Sequence, residues 1–248
     1  MIVALIIGRK GSKGFPGKNT IPINGQPLAW YPMQTALAVN EIDSVYLSTD
    51  DPNLMNIASG ININIIDRPE ILANDQALGE DAFVHGYEEI CNREKQEVEL
   101  MVLLFCNAAT INVKAIREGI ALLRNDSTFD SAVTVSRYNM WSPLRARKLD
   151  DKGRLKPFVP FEIFGDPNTL NCDRDSQGDV WYADMGCSIV RPHCLENLVD
   201  GMLPQKWMGR SIAPIYQEAG CDVDYEWQVP VAEWWIKKYW DVDNIKLK

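Results

Sequence analysis

The 248-residue sequence predicts an α/β protein built on one doubly wound, mostly parallel sheet, with an arm inserted in its second half. Three observations predict this class. Short β-branched runs alternate with longer segments of helical character. Two of the runs, Ile2–Ile7 and Leu100–Phe105, are apolar throughout, as strands buried on both faces of a parallel sheet are. The alternation then breaks down between residues 137 and 181.

Taken in order, Ile2–Ile7 is the first strand. Pro27 opens a helix over 27–39, where its fixed φ suits the first turn. A strand over 44–48, a short helix over 52–59 and a strand over 61–66 complete a βαβαβ unit. Gly79–Arg93 reads as helix, Leu100–Phe105 as strand, 113–123 as amphipathic helix and 131–135 as strand. Residues 137–181 hold four prolines and much charge without clear period. They are read as an inserted arm, serving either dimerisation or acceptor binding, with no helix assigned to it. Strand resumes over 181–190, followed by a helix over 192–199, a strand over 211–216 and a tryptophan-rich helix over 225–238. All of 1–248 is expected to form one domain.

Charged residues make up 24% of the chain and hydrophobic residues 46%, ordinary values for a globular protein. Lys and Arg total 25 against 34 Asp and Glu, a net charge of -9, so the surface as a whole repels polyanions and nucleic acid is not expected as a partner. The apolar run from Leu100 to Cys106 is far shorter than the roughly 20 residues that cross a bilayer, and no membrane span is expected. No basic region precedes the apolar start and no small-residue cleavage site follows it, so the expected compartment is the cytoplasm. The six cysteines form no CxxC pair and read as reduced thiols. His85 and His193 are read as structural. Five of the eight tryptophans fall from Trp207 onward, which suits a core or a subunit contact and leads us to expect a homo-oligomer, a dimer.

The chemistry concentrates after the first strand. From Gly8 to Asn19, glycines recur at every third position (Gly8, Gly11, Gly14, Gly17) among four cations, Arg9, Lys10, Lys13 and Lys18. Glycine lets backbone N–H groups close around phosphate oxygens, and the cations offset the charge of a polyphosphate. Two common phosphate signatures do not fit. Gly17-Lys18 is followed by Asn19 rather than Ser or Thr, and no two glycines of the loop stand two apart. In a doubly wound sheet, ligands gather at the carboxyl ends of the strands, where Gly8, Ser48-Thr49-Asp50, Arg68 and Cys106-Asn107 emerge. Near the other end of the chain, Asp222 and Asp224 on an extended segment share one side, a suitable grip for a hard dication bridging phosphate oxygens. An ordinary acidic turn is the alternative.

The stretch Ala4 to Asn19 resembles the nucleotide-binding signature of the acylneuraminate cytidylyltransferases, roughly A-x-I-P-A-R-x-G-S-K-x-x-x-x-K-N. The resemblance continues at Ser48-Thr49-Asp50, at Arg68-Pro69 followed by Leu72-Ala73-Asn74-Asp75, and at Cys221-Asp222-Val223-Asp224. It implies a nucleotide-diphospho-sugar transferase-like fold. It also implies CTP phosphates held around Gly8, Arg9, Gly11, Ser12, Lys13, Lys18 and Asn19, with Arg68 in the loop that reads cytosine and ribose. Mg2+ would be held by Asp222 and Asp224, and Arg9, Lys13, Lys18, Asp222 and Asp224 would carry catalysis. The expected reaction transfers CMP from CTP to a small acidic sugar, a nonulosonate or related 2-keto sugar acid, and releases pyrophosphate.

The departures from the signature bear on the acceptor. Where relatives carry Q-P-T-S-P-L, with a glutamine associated with the acceptor sugar, this chain has Cys106-Asn107-Ala108-Ala109-Thr110-Ile111. Cys106 and Asn107 are therefore acceptor-binding candidates, together with Arg137, Arg145, Arg147 and Lys156 of the arm, because a carboxylate needs a cation. Gly8 replaces an alanine, a change expected to be tolerated. Asp184 reads either as a third acidic group in the cleft or as a hydrogen-bonding residue. Two other functions fit the same residues: a nucleotidyltransferase with a phosphonate or phosphorylated-polyol acceptor, and a non-catalytic nucleotide-binding protein.

Overall fold

A computed structural model describes residues 1–11, 14–175 and 177–240. The chain order is β1 (Ile2–Ile7), β2 (Pro22–Ile23), β3 (Gln26–Pro27), α1 (Trp30–Ala38), β4 (Ser44–Thr49), α2 (Pro52–Gly60), β5 (Asn64–Asp67), α3 (Gly79–Arg93), β6 (Leu100–Phe105), α4 (Val113–Asn125), β7 (Ser131–Arg137), β8 (Arg147–Leu149), β9 (Leu155–Pro157), β10 (Trp181–Val190), α5 (His193–Glu196), β11 (Ile212–Gln217) and α6 (Val229–Tyr239). Seven strands form one sheet in the order β11-β7-β10-β6-β1-β4-β5. Every neighbouring pair is parallel except those made by β10, which runs antiparallel to both β6 and β7. The doubly wound, mostly parallel fold expected from the sequence is present.

The uninterrupted apolarity of β1 has a direct cause. Ile2, Ala4 and Ile6 face a core built with Met33 of α1, Leu54 of α2 and Ile116 and Ile120 of α4. Val3, Leu5 and Ile7 face a second core with Phe83 and Ile90 of α3, Leu195 and Trp207. Successive side chains of a strand point to opposite faces, so a strand with helices on both sides must be apolar at every position. A third cluster joins Ile23, Leu28, Tyr31, Val223 and Trp235, and so fastens α6 and the segment around Val223 to the edge of the domain.

Three expectations shift. The first helix begins at Trp30, three residues after Pro27, because 26–27 pair with 22–23 in a two-residue ladder. The strand read as 61–66 is Asn64–Asp67. Residues 61–63 instead close the end of α2, where the Ile61 amide bonds to the carbonyls of Ala58 and Ser59. The region 137–181 is less irregular than its sequence suggests: β8 and β9 pair as a hairpin within it. The tryptophans divide, with Trp207 and Trp235 buried in the cores and Trp141, Trp181, Trp227 and Trp234 about half exposed. Among the described residues no helix is long and apolar enough to cross a membrane.

β10 is also the irregular strand. Its pairing with β7 slips between Ala183 and Ser188, and Met185 within the slip has a φ of 63°. Such a bulge bends a strand and re-aims its side chains. Here it turns Asp184 into the interior, where only 5% of its surface remains exposed.

Candidate active site

The glycine-rich loop leaves the carboxyl end of β1, the interior strand from which the sheet winds out to β4 and β5 on one side and to β6 on the other. Its first residue is fixed by two neighbours: the Gly8 amide donates to the Ser48 carbonyl (3.3 Å), and the Cys106 amide donates to the Ile7 carbonyl (2.9 Å). A Cβ at position 8 would lie 2.5 Å from Cys106 Sγ and 2.8 Å from Leu54 Cδ1. Glycine at this position is therefore demanded by the thiol beside it, which gives the departure from the signature's alanine a local cause. Farther along, the Lys10 amide donates to Asp50 Oδ1 (2.7 Å), and Asn19, itself buried, donates from Nδ2 to the Arg9 carbonyl (3.4 Å). Ser12 and Lys13, both predicted to hold phosphate, lie outside the described residues.

Two of the loop's cations, Arg9 and Lys18, line one cleft of about 210 Å3, together with Gly8, Asn19, Arg68 and Asn107 and the apolar Leu72, Leu78 and Phe105. Arg9 reaches across to the loop after β5, with Nη2 on Asp75 (2.9 Å) and Nη1 on the Ala73 carbonyl (3.4 Å). Arg68 is 8% exposed and braces β4, donating from Nε to Ser48 Oγ (3.2 Å) and from Nη2 to the Ser48 carbonyl (2.6 Å). Burial lowers its pKa from the ordinary arginine value.

The acid pair meets this loop. Val223 is fully buried in the third apolar cluster, and its amide donates to the Asn107 carbonyl (2.9 Å). The flanking carboxylates converge on the Asn107 amide: Nδ2 lies 3.5 Å from Asp222 Oδ2, 3.3 Å from Asp224 Oδ1 and 3.3 Å from the Val223 carbonyl. This is the same-side arrangement that an extended Asp-x-Asp predicts. Asp224 also forms an ion pair with Lys18 Nζ. Burial first, then the charge of Asp224 and a hydrogen bond with it, raise the Asp222 carboxyl to about 6, against the opposite pull of Lys18.

The donor set suits Mg2+. Two carboxylates held on one side supply hard oxygen ligands, although no group of three or more His, Cys, Asp or Glu that could hold a metal ion gathers here or elsewhere among the described residues. A magnesium ion bound here would take its remaining ligands from water and phosphate oxygens, as that ion commonly does.

Several predicted acceptor residues are not brought to the cleft. Cys106 is fully buried behind Gly8, and burial pushes its thiol up to about 12. Asn107 is in the cleft but is engaged by the acid pair. Arg137 pairs with Asp179 (3.4 Å), and Lys156 with Asp150 (3.6 Å). Arg145 donates to the Cys172 carbonyl (2.8 Å), and Arg147 to the carbonyls of Leu144 and Ala146 (2.8 and 3.0 Å). Arg145 and Arg147 line a separate cavity of about 400 Å3 within the arm. Asp184 is a hydrogen-bonding residue below the cleft rather than a third acid in it. The sequence reading gave no role to Asp75 or to the reach of Asn107 toward residues 222–224. Only the position of Asn107 at the end of β6 hinted at the latter.

A mostly parallel sheet with a glycine-rich, cationic loop at its switch point and an acid pair facing that loop makes an α/β fold of the nucleotidyltransferase type. Residues 3–102 match the protein family described as Cytidylyltransferase. Over 157 residues the chain is 29% identical to the N-acylneuraminate cytidylyltransferase of Escherichia coli O18:K1:H7, a match covering 63% of this chain and 36% of that protein. Over 139 residues it is 30% identical to the pseudaminic acid cytidylyltransferase of Campylobacter jejuni serotype O:2, covering 55% of this chain and 59% of that one. The chain is thus similar to these cytidylyltransferases, and the match spans between about a third and three fifths of the length of these curated relatives. A solved CMP:2-keto-3-deoxy-manno-octonic acid synthetase complexed with CTP shares the fold, with a TM-score of 0.68 over 96% of this chain and 98% of that one at 18% identity.

Proposed function

We propose that this protein is a Mg2+-dependent cytidylyltransferase that joins CMP from CTP to the hydroxyl of an acidic sugar, a nonulosonate or related 2-keto sugar acid, and releases pyrophosphate. The observation that carries the reading is the contact between two distant motifs: Lys18 of the glycine-rich loop meets Asp224, 206 residues away, in the cleft at the switch point. Cation and carboxylates are thereby gathered where a triphosphate and its counter-ion belong together.

In the proposed reaction the acceptor's anomeric oxygen attacks the α-phosphorus. A new O–P bond forms, the bond from that phosphorus to the α,β-bridging oxygen breaks with its electron pair leaving on pyrophosphate, and the acceptor hydroxyl loses its proton to solvent. Charge grows on the departing pyrophosphate, so catalysis rests on positioning and on cationic donors already in place. Arg9 and Lys18 supply those donors, with Ser12, Lys13 and Asn19 completing the cradle in this reading. Arg9 and Lys18 each carry a carboxylate partner, Asp75 and Asp224, which the triphosphate displaces on binding. A magnesium ion held by Asp222 and Asp224 would neutralise phosphate charge and orient the α-phosphate. Arg68, already committed to Ser48, stiffens the wall beside the nucleotide.

The test is incubation with CTP, Mg2+ and a panel of sugar acids, phosphonates and phosphorylated polyols while pyrophosphate is measured. Release with a sugar acid supports the proposal. The altered Cys106 to Ile111 stretch favours the phosphonate or polyol acceptor as a second reading, and release with those alone would establish it. CTP binding with no release from any acceptor would favour a non-catalytic binder. The proposal includes a homodimer formed through the arm, supported by the exposed Trp141, Phe158, Ile163 and Phe164. It also includes a cytoplasmic location, supported by six unpaired thiols.

A further inference from the structure

We infer that Asp184, buried beneath the cleft and assigned no role by the reaction above, is the positioning residue that sets the height and angle of the Asp222–Asp224 segment. The inference rests on the reading of that acid pair as the metal site. Asp184 Oδ2 accepts from Ser136 Oγ (2.6 Å) and from Gln217 Nε2 (2.9 Å), and Oδ1 accepts from the Gly186 amide (3.1 Å). Both side-chain donors pass the connection onward. Ser136 Oγ, its proton committed to the carboxylate, accepts the Gly220 amide (2.9 Å). Gln217 Nε2 also donates to the Thr110 carbonyl (3.1 Å). Thr110 Oγ1 in turn accepts the Cys221 amide (2.8 Å) and donates to the Cys221 carbonyl (2.9 Å), while Tyr138 donates to the Gly220 carbonyl (2.7 Å).

The result is a complete backbone clamp. The N–H and C=O groups of Gly220 and Cys221, the two residues before Asp222, are all hydrogen-bonded to side chains: those of Ser136, Tyr138 and Thr110, of which Ser136 bonds Asp184 directly. Position 220 must be glycine for the clamp to close, since a Cβ there would lie 2.4 Å from Asp184 Oδ2 and 2.3 Å from Gln217 Nε2. The turn entering it is strained, with Ala219 at a φ of 50°. A carboxylate is the right group at the centre because its partners, the Ser136 and Thr134 hydroxyls, Gln217 Nε2 and the Gly186 amide, are all able to donate, whereas Gln217 Oε1 is buried with no partner of its own. Asparagine, nearly the same shape, places an amide donor against a donor in either of its two orientations. Supports of this kind behind metal ligands tune affinity without touching the metal.

The experiment compares the full chain with Asp184→Asn, and with Ser136→Ala as the milder variant should the first fail to fold. Asp222→Asn serves as the control for the acid pair. Three quantities are read: Mn2+ affinity in the presence of CTP, CTP affinity without metal, and hydrogen exchange of amides 219–224. The expected result for Asp184→Asn is at least about a tenfold loss of Mn2+ affinity, metal-free CTP affinity within about twofold of the parent, and faster exchange confined to 219–224. Unchanged Mn2+ affinity with unchanged exchange, even alongside a lower melting temperature, would overturn the inference, since Asp184 would then only stabilise the fold. If Asp222→Asn itself leaves Mn2+ binding intact, the metal reading fails separately. Exchange alone then decides whether Asp184 sets the segment's position: faster exchange supports it and unaltered exchange overturns it.

Discussion

Replacing Asp222 by asparagine should make the metal-free protein more stable while abolishing its grip on a divalent ion. The Asp222 carboxyl is raised from its ordinary 3.8 to about 6, chiefly by burial and then by Asp224. A carboxyl raised in this way favours the folded state most at low pH, and that contribution is lost as pH climbs from about 4 through about 6. Taken at face value, the rise corresponds to about 3 kcal/mol lost by neutral pH. Asp224 is about half exposed and Lys18 offsets part of the repulsion, so the recoverable share is nearer 1 kcal/mol. For a domain of this size that is about 2 to 4 °C in melting temperature. Calorimetry in a chelating buffer at pH 8 should therefore show Asp222→Asn melting above the parent. The gap should shrink by about half at pH 5, where much of the parent's carboxyl is protonated. A variant less stable than the parent at pH 8, or a gap that does not move with pH, would refute the reasoning. Stability gained by losing a functional charge is the usual mark of a site held against its own repulsion.

Lys18→Ala should lower turnover, read as pyrophosphate release, at least about tenfold while circular dichroism stays unchanged; parental turnover would remove Lys18 from the cradle. Gly8→Ala should cost about 1–3 kcal/mol in urea unfolding, because its Cβ meets the Cys106 sulfur. Adding Cys106→Ala should return part of that loss, whereas strict additivity in the double-mutant cycle would contradict the contact. A thiol reagent at neutral pH should modify the exposed Cys91 and Cys172 and spare Cys106, Cys187 and Cys194, whose pKa values burial raises, until the chain unfolds. Rapid native modification of Cys106 would count against its packing behind Gly8.

The central strands were legible because a doubly covered strand leaves an unmistakable run such as Ile2–Ile7, and their carboxyl ends placed the glycine-rich loop, Arg68 and Asn107 around one cleft. The Asp222-x-Asp224 spacing also carried its geometry, since period-two alternation with a buried Val223 between leaves both carboxylates on one side. What was not legible depends on contacts between distant segments. Nothing in Asn107 announces that its amide meets residues 222–224, and a single buried acid such as Asp184 has no periodic signature. The demand for glycine at position 8 belongs to Cys106, a partner 98 residues away. The arm escaped because its hairpin strands, Arg147–Leu149 and Leu155–Pro157, are short and solvated on both faces, so no alternation marks them. Its arginines answered a general need for a cation and proved to be engaged within the arm itself.

The most direct test of the cradle is a crystal structure with CTP and Mn2+ bound, read by anomalous scattering. The triphosphate should lie along the loop from Gly8 to Asn19 with Lys18 released from Asp224 onto it, and the manganese peak should fall between Asp222 and Asp224. A nucleotide bound elsewhere, with Lys18 still paired to Asp224 and no peak at the two aspartates, would contradict the account.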